Sequence, residues 1–214
     1  MPSLIYIADP MCSWCYGFGP ELAALMEGVP ELPVEVVVGG LRAYKTEVVD
    51  AALKQEQIDE WKKVAQQTNL PFDYNALARE NFAYNTEPAC RAVVAARLLA
   101  PQTCLYVLHE IQRRFFSEGK DVTQGEVLAE IATVAMAEQG VNIDKDTFLA
   151  TWSSDVAIKA ANDDFLLVHK WKVTGFPTLI LERNGVLDLV ISGYVPMPKL
   201  IDLLQSIIDK EQAA

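Results

Sequence analysis

Apolar positions follow two regimes along this chain. Near both ends they run unbroken for several residues, and through the middle they recur every three or four. Leu4, Ile5, Tyr6 and Ile7 fill a short run from Ser3 to Ala8 bounded by Asp9-Pro10, the mark of a buried strand. From Cys15 to Met26, Phe18, Leu22, Leu25 and Met26 recur at helical spacing, and Gly28 with Pro30 ends that helix. Gly17, Gly19 and Pro20 predict a kink within it. Pro33 to Val38 is again β-branched and closes at Gly39-Gly40, so the opening reads strand, helix, strand.

Between about Arg42 and Lys172 the pattern is helical throughout. Ile58, Trp61 and Ala65 share one face, and Cys104, Leu108, Ile111 and Phe115 form another stripe. Thr123 with Glu126 fits a capping box, and Val122 with Val127 the accompanying staple, so a helix is expected after Thr123. Pro101 and Gly119 separate its predecessors, and a further helix runs from about Ser154 to Lys170.

Strand patterning returns after Gly175-Phe176-Pro177, over Thr178 to Glu182 and Val186 to Ile191. Asn184-Gly185 between them signals a hairpin, because both residues accept the positive φ of a type I′ turn. A closing helix from about Pro198 to Asp209 places Leu200, Leu203, Leu204 and Ile207 on one face. The class is α/β. Residues 1–42 and 173–214 read as one domain, interrupted by an all-helical insertion over 43–172.

Composition narrows the function. With 214 residues, 51% of them apolar, the chain can build a core without disulfide staples. Eighteen Lys and Arg against 29 Asp and Glu leave a net charge of −11, which repels nucleic-acid backbones and anionic lipid surfaces. Neither nucleic acid nor membrane is expected as a partner. The N-terminus lacks a basic stretch leading into a long apolar run, so the chain reads as cytoplasmic. Four cysteines in such a chain suggest catalysis or metal binding rather than a scaffold.

Cys12-Ser13-Trp14-Cys15 sits where a strand hands over to a helix, and that placement gives the motif its weight. Unpaired N–H groups and the positive end of the macrodipole at a helix start favour an anion, here the thiolate of Cys12. Cys15, one turn further on, can return toward Cys12 and expel a bound substrate. A zinc site would need two more ligands from Cys90, Cys104, His109 and His169. None of these forms a second tight pair; Cys90 and Cys104 lie on apolar helical faces and read as core, and both histidines as structural. No metal or other cofactor is expected.

Together with Tyr16-Gly17, Pro20 and Gly175-Phe176-Pro177-Thr178, this motif resembles the DsbA-like branch of the thioredoxin superfamily. The early strand is similar to cytoplasmic predicted protein-disulfide isomerases and to kappa-class glutathione transferase relatives, which lack a resolving cysteine. The resemblance implies a thioredoxin-like fold with a helical insertion. It also implies a cis Phe176-Pro177 peptide facing the cysteines, Pro177 being a second wall and Phe176 lending backbone to an extended substrate. Read alone, Pro177 opens a strand with a trans bond. Ser13-Trp14 departs from the Pro-His dipeptide of strongly oxidising members, which predicts a less oxidising couple.

Around the pair the readings divide. Trp14 and Tyr16 form either an apolar substrate rim or packing against the insertion. Asp9 either tunes the couple, together with Ser13, or is a turn former, the plainer reading. Gly39 to Arg42 either binds an anionic thiol through Arg42 or, the stronger reading, ends a strand. The expected function is thiol–disulfide exchange with protein or peptide thiols, with glutathione as redox partner. The alternatives are a glutathione-dependent isomerase or transferase on a small organic substrate, and a peptide-binding module with vestigial cysteines.

Overall fold

The structure is a computed structural model that describes residues 2–212, with side chains through Ser206. Its sheet is built from β1 (Ser3–Ala8), β2 (Val34–Val38), β3 (Thr178–Arg183) and β4 (Val186–Ser192) in the order β2-β1-β3-β4. β1 is parallel to β2 and antiparallel to β3, and β3 and β4 form an antiparallel hairpin. Asn184 and Gly185 turn that hairpin with φ of 53° and 83°, the signs a type I′ turn needs.

β1 is buried on both faces, which is why its sequence is apolar without alternation. Leu4, Tyr6 and Ala8 join the main core with Phe18, Leu22 and Leu25 of α1 (Ser13–Gly28). Ile5 and Ile7 point the other way, to Val37, Ile180 and Val168, the last from α7 (Asp155–Lys170). Both faces of the central strand are therefore covered. α1 continues through Pro20 as one helix.

Between β2 and β3 lie α2 (Ala51–Thr68), α3 (Glu87–Leu99), α4 (Cys104–Phe116), α5 (Gly125–Glu138), α6 (Lys145–Trp152) and α7. Asp50, Asp144 and Ser154 cap α2, α6 and α7, accepting from Leu53, Thr147 and Ala157 N–H groups. The α4 stripe of Cys104, Leu108, Ile111 and Phe115 is buried as its period predicts. Arg97 of α3 donates to both oxygens of Asp164 of α7, and Asp164 also accepts from Val38 N–H at 3.0 Å. That carboxylate ties the helices to the end of β2.

Three local expectations need correction. On α2 the fully buried partner of Trp61 is Val64, one position before Ala65. The capping box at Thr123 does not form: the Thr123 hydroxyl donates to Asp121 at 2.6 Å, and α5 starts at Gly125 behind Gln124. A side chain two residues back reaches that hydroxyl more readily than the helix start does. The helical stretch also contains one bridge of strand type, Val48 with Ala83. At the end of the chain, α8 (Met197–Gln212) buries Leu200 and Leu204, with Leu203 half-buried; the Ile207 side chain lies outside those described.

Candidate active site

The site forms where β1 stops. Asp9 turns the chain by accepting from Met11 N–H at 2.8 Å through its side chain and from Cys12 N–H at 3.1 Å through its carbonyl. Cys12 then takes the N-cap position of α1 with φ −90° and ψ 118°, and its carbonyl accepts the first helical bond, from Tyr16 N–H at 3.0 Å. No side chain caps this helix start. A sulfur thus occupies the place usually held by a Ser, Thr, Asp or Asn oxygen.

Cys12 is 7% exposed and Cys15 fully buried, and the two are free thiols in hydrogen-bonding contact. Burial pushes the Cys15 thiol well up, and contact with Cys12 adds to it. The pair is therefore asymmetric, Cys12 keeping a small exposed fraction and the protonated Cys15 thiol lying fully buried.

Two further chain segments leave the sheet at the same end. Ile7 pairs with Thr178, and Ala8 with Val38, so Pro177 and Gly39 both adjoin the Asp9–Cys12 turn. Phe176-Pro177 is cis, as the family resemblance implied, and Pro177 is buried. Gly39 is required here because a Cβ would overlap the Phe176 ring. The Gly39–Arg42 turn thus touches the site through Phe176 as well as ending a strand.

Trp14 is half-buried between two supports. Its indole N–H donates to Glu60 of α2 at 2.6 Å, and its ring lies 5.5 Å from that of Tyr194. Tyr194 in turn donates to Glu21 at 2.9 Å. Trp14, Phe176, Gln67, Tyr194 and Pro196 line a cavity of about 390 Å³. Tyr16 is core: it is 8% exposed, stacked on Phe116 at 5.1 Å, and donates to the Pro71 carbonyl at 3.3 Å. Ser13 is buried at the first turn.

Asp9 does more than turn the chain. It is fully buried, and its carboxylate accepts from Leu41 N–H at 2.7 Å, from the Cys90 thiol at 3.5 Å and from the Thr86 hydroxyl. Burial raises its pKa above the ordinary carboxylate value despite these donors. Cys90 is core, as its helical face suggested, but its thiol faces this carboxylate. Cys104 is also core, its thiol donating to the Val93 carbonyl at 3.6 Å and pushed up to about 12 by burial. His169 is exposed, and His109 is held down to about 4 by burial. Among the described residues no three His, Cys, Asp or Glu side chains gather as a metal site would need.

Residues 5–197 match the family model described as Thioredoxin. The chain belongs to the thioredoxin family. A crystal structure of a "putative protein disulfide isomerase" from Nitrosomonas europaea is similar at 32% identity and TM-score 0.85, covering 98% of each chain. The cytosolic disulfide reductase DsbM of Pseudomonas aeruginosa is similar at 27% identity and TM-score 0.75, covering 99% of this chain and 100% of that one. DsbM has also been solved with GSH, matching at 29% identity over 96% and 98% of the two chains with TM-score 0.75. The ClpXP adapter protein SpxH of Bacillus subtilis is 24% identical over 180 residues; the match spans 83% of this chain and 58% of that protein. The thioredoxin-like α/β class expected from the sequence is therefore the fold the chain adopts. Among the described residues no helix is long and apolar enough to cross a membrane.

Sequence reasoning named Cys12, Ser13, Trp14, Cys15, Phe176 and Pro177, and the fold gathers them at one end of the sheet. It missed Glu60, Tyr194, Thr86 and Tyr84. Tyr84 is fully buried against the cysteine loop, donating to the Met11 carbonyl at 2.6 Å across 73 positions. No periodicity announces such a contact.

Proposed function

We propose that this thioredoxin-family chain is a dithiol–disulfide oxidoreductase of the cytoplasm, with Cys12 as attacking thiolate and Cys15 as resolving thiol. The observation that carries the reading is the position of Cys12 as N-cap of α1 with the buried Cys15 thiol in contact behind it. Burial keeps the proton on Cys15 until Cys12 has reacted.

In the reducing direction, Cys12 sulfur bonds to one sulfur of a substrate disulfide and the other leaves as a thiolate. Cys15 gives up its proton and attacks Cys12, the mixed disulfide breaks, and the second substrate thiol departs. The chain is left oxidised by two electrons, and two external thiols such as glutathione restore it. The groove of Trp14, Phe176 and Tyr194 beside this centre suits the apolar stretch of a protein or peptide substrate. The names of the Nitrosomonas protein and of DsbM support this class of chemistry and, for DsbM, the reducing direction. The dipeptide Ser13-Trp14 carries no imidazolium beside the thiolate, which supports the same direction.

The test is glutathione-driven reduction of a disulfide-linked protein substrate such as insulin. Cys12→Ser abolishes turnover on this account. Equal turnover by the variant would remove the dithiol mechanism, and peptide binding without turnover by either protein would leave a peptide-binding module.

A further inference from the structure

The sheet is only partly covered on its second face. Val168 of α7 packs there over Ile5, Ile7, Val37 and Ile180, and among the described residues no helix continues from α7 onto β4. α8 lies against the opposite face, where Leu200 and Leu204 join Val190 and Ile191 in the main core. A bulge produces this split. Leu179 pairs with Ile191 and Ile180 with Leu189, so Val190 is an extra residue and two consecutive side chains turn into the core. Leu187 and Leu189 are left on the uncovered side, 42% and 60% exposed. A solvated strand face carries polar residues at such positions.

These two leucines form one wall of a cavity of about 290 Å³. Ile180 and Val173 continue its apolar lining, and Trp171, Lys172, Thr174 and Ser192 bring polar groups to it. Those groups are uncommitted. Among the described residues nothing accepts from the Trp171 indole, the Thr174 and Ser192 hydroxyls or the Lys172 ammonium. The nearby acids are engaged elsewhere: Glu182, on the same face of β3 as Ile180, accepts from Gly185 N–H at 2.7 Å, and Asp188 pairs with Arg183. An apolar floor beside several free donors and one unpaired cation suits a ligand with an apolar body and a negatively charged, hydrogen-bond-accepting head.

We propose that this cavity binds a small amphipathic carboxylate, its hydrocarbon against Ile180, Leu187 and Leu189 and its head at Lys172. The volume stands at the lower end of the range of about 300–1,000 Å³ for ligand sites, which selects a medium-chain acid over a bulkier occupant. Charge selects the head. The chain carries a net −11, so a site that offers an unpaired ammonium and no free carboxylate is set apart from its surroundings. Neither cysteine of the pair nor Trp14 lines the cavity, and binding there needs no thiol. The site therefore goes beyond the proposed redox function and does not rest on it.

The experiment titrates the full chain with sodium decanoate below its micelle concentration, followed by calorimetry and by the methyl resonances of Ile180, Leu187 and Leu189. Saturable binding with shifts at these methyls is expected, and decylammonium, with the same tail and the opposite charge, binds several-fold more weakly. Leu189→Glu sets a carboxylate in the cavity from an exposed position and weakens decanoate by about tenfold or more. Lys172 has φ 55°, which Asn accepts, so Lys172→Asn keeps the backbone. It weakens decanoate about three- to fivefold, as loss of an exposed charge pair does, and leaves decanol binding unchanged. Both variants keep wild-type insulin turnover, which shows that they are folded. Absence of saturable binding, shifts confined to other methyls, or full decanoate affinity in a folded Leu189→Glu protein overturns the site. Decylammonium binding as tightly as decanoate overturns the anionic head.

Discussion

Trp14, inside the cysteine motif, donates its indole N–H to Glu60 Oε1 at 2.6 Å, so a helix 46 positions away sets the orientation of an active-site side chain. Tyr194 closes on the other side of the ring. Losing the Glu60 acceptor frees the indole and loosens the groove. Glu60→Leu is expected to raise KM for peptide disulfides several-fold with kcat little changed, and to shift Trp14 emission; Glu60→Gln, still an acceptor, restores both. A kcat loss without a KM change would contradict this positioning role.

The same bond has a pH signature. The Lys63 ammonium, and after it the Trp14 indole, hold the Glu60 carboxyl below its ordinary range. A depressed folded value means the contribution is present above the unfolded value of about 4.3 and is lost as pH falls through the folded one. Trp14 emission is therefore expected to stay constant across neutral pH and to change only below about pH 4.3. A transition near neutrality would count against it.

His109 works through stability. Burial holds it down to about 4, and its Nε2 has no partner. The unfolded chain binds the proton at about 6.5, so stability is lost as pH falls from about 6.5 toward 4, by on the order of 3 kcal/mol. His109→Phe removes that slope. Denaturant unfolding of both proteins at several pH values checks it: their stability difference should move across this window, and a constant difference would contradict the burial.

Gly39 is the close-approach point between the β2 turn and the cis-proline segment. Gly39→Ala forces its Cβ against the Phe176 ring, and a loss of about 1–3 kcal/mol is expected as for other overpacked sites. Thermal unfolding reads this directly. An unchanged midpoint would mean that Phe176 gives way freely.

Much of this was legible in the sequence, and the reason is locality. β1 was bounded correctly because an unbroken apolar run meets Asp9-Pro10 within ten residues, and the hairpin because Asn184-Gly185 states its own turn type. The cysteine motif announced its helix start for the same reason. What escaped depends on chain separation: Glu60 on Trp14, Tyr84 on Met11, and the Asp9 carboxylate on Leu41 and Cys90 are joined only after the helices close over the sheet. Thr123 failed locally, since Asp121 competes for the hydroxyl that a capping box needs.

Cys15 is expected to be dispensable for attack and necessary for release. Cys15→Ser should accumulate a substrate-linked mixed disulfide on Cys12, visible by intact mass, while multiple turnover falls by at least tenfold. Undiminished multiple turnover would instead indicate a glutathione-dependent isomerase or transferase using one thiol.

The most direct test of the account is the redox equilibrium of the Cys12 and Cys15 pair in glutathione buffers, followed by Trp14 fluorescence with alkylation to identify the responding thiols. The account predicts one two-electron transition at these two residues, closer to about −270 mV than to about −120 mV. A transition near about −120 mV would contradict the reducing role, and none at this pair would contradict the dithiol mechanism itself.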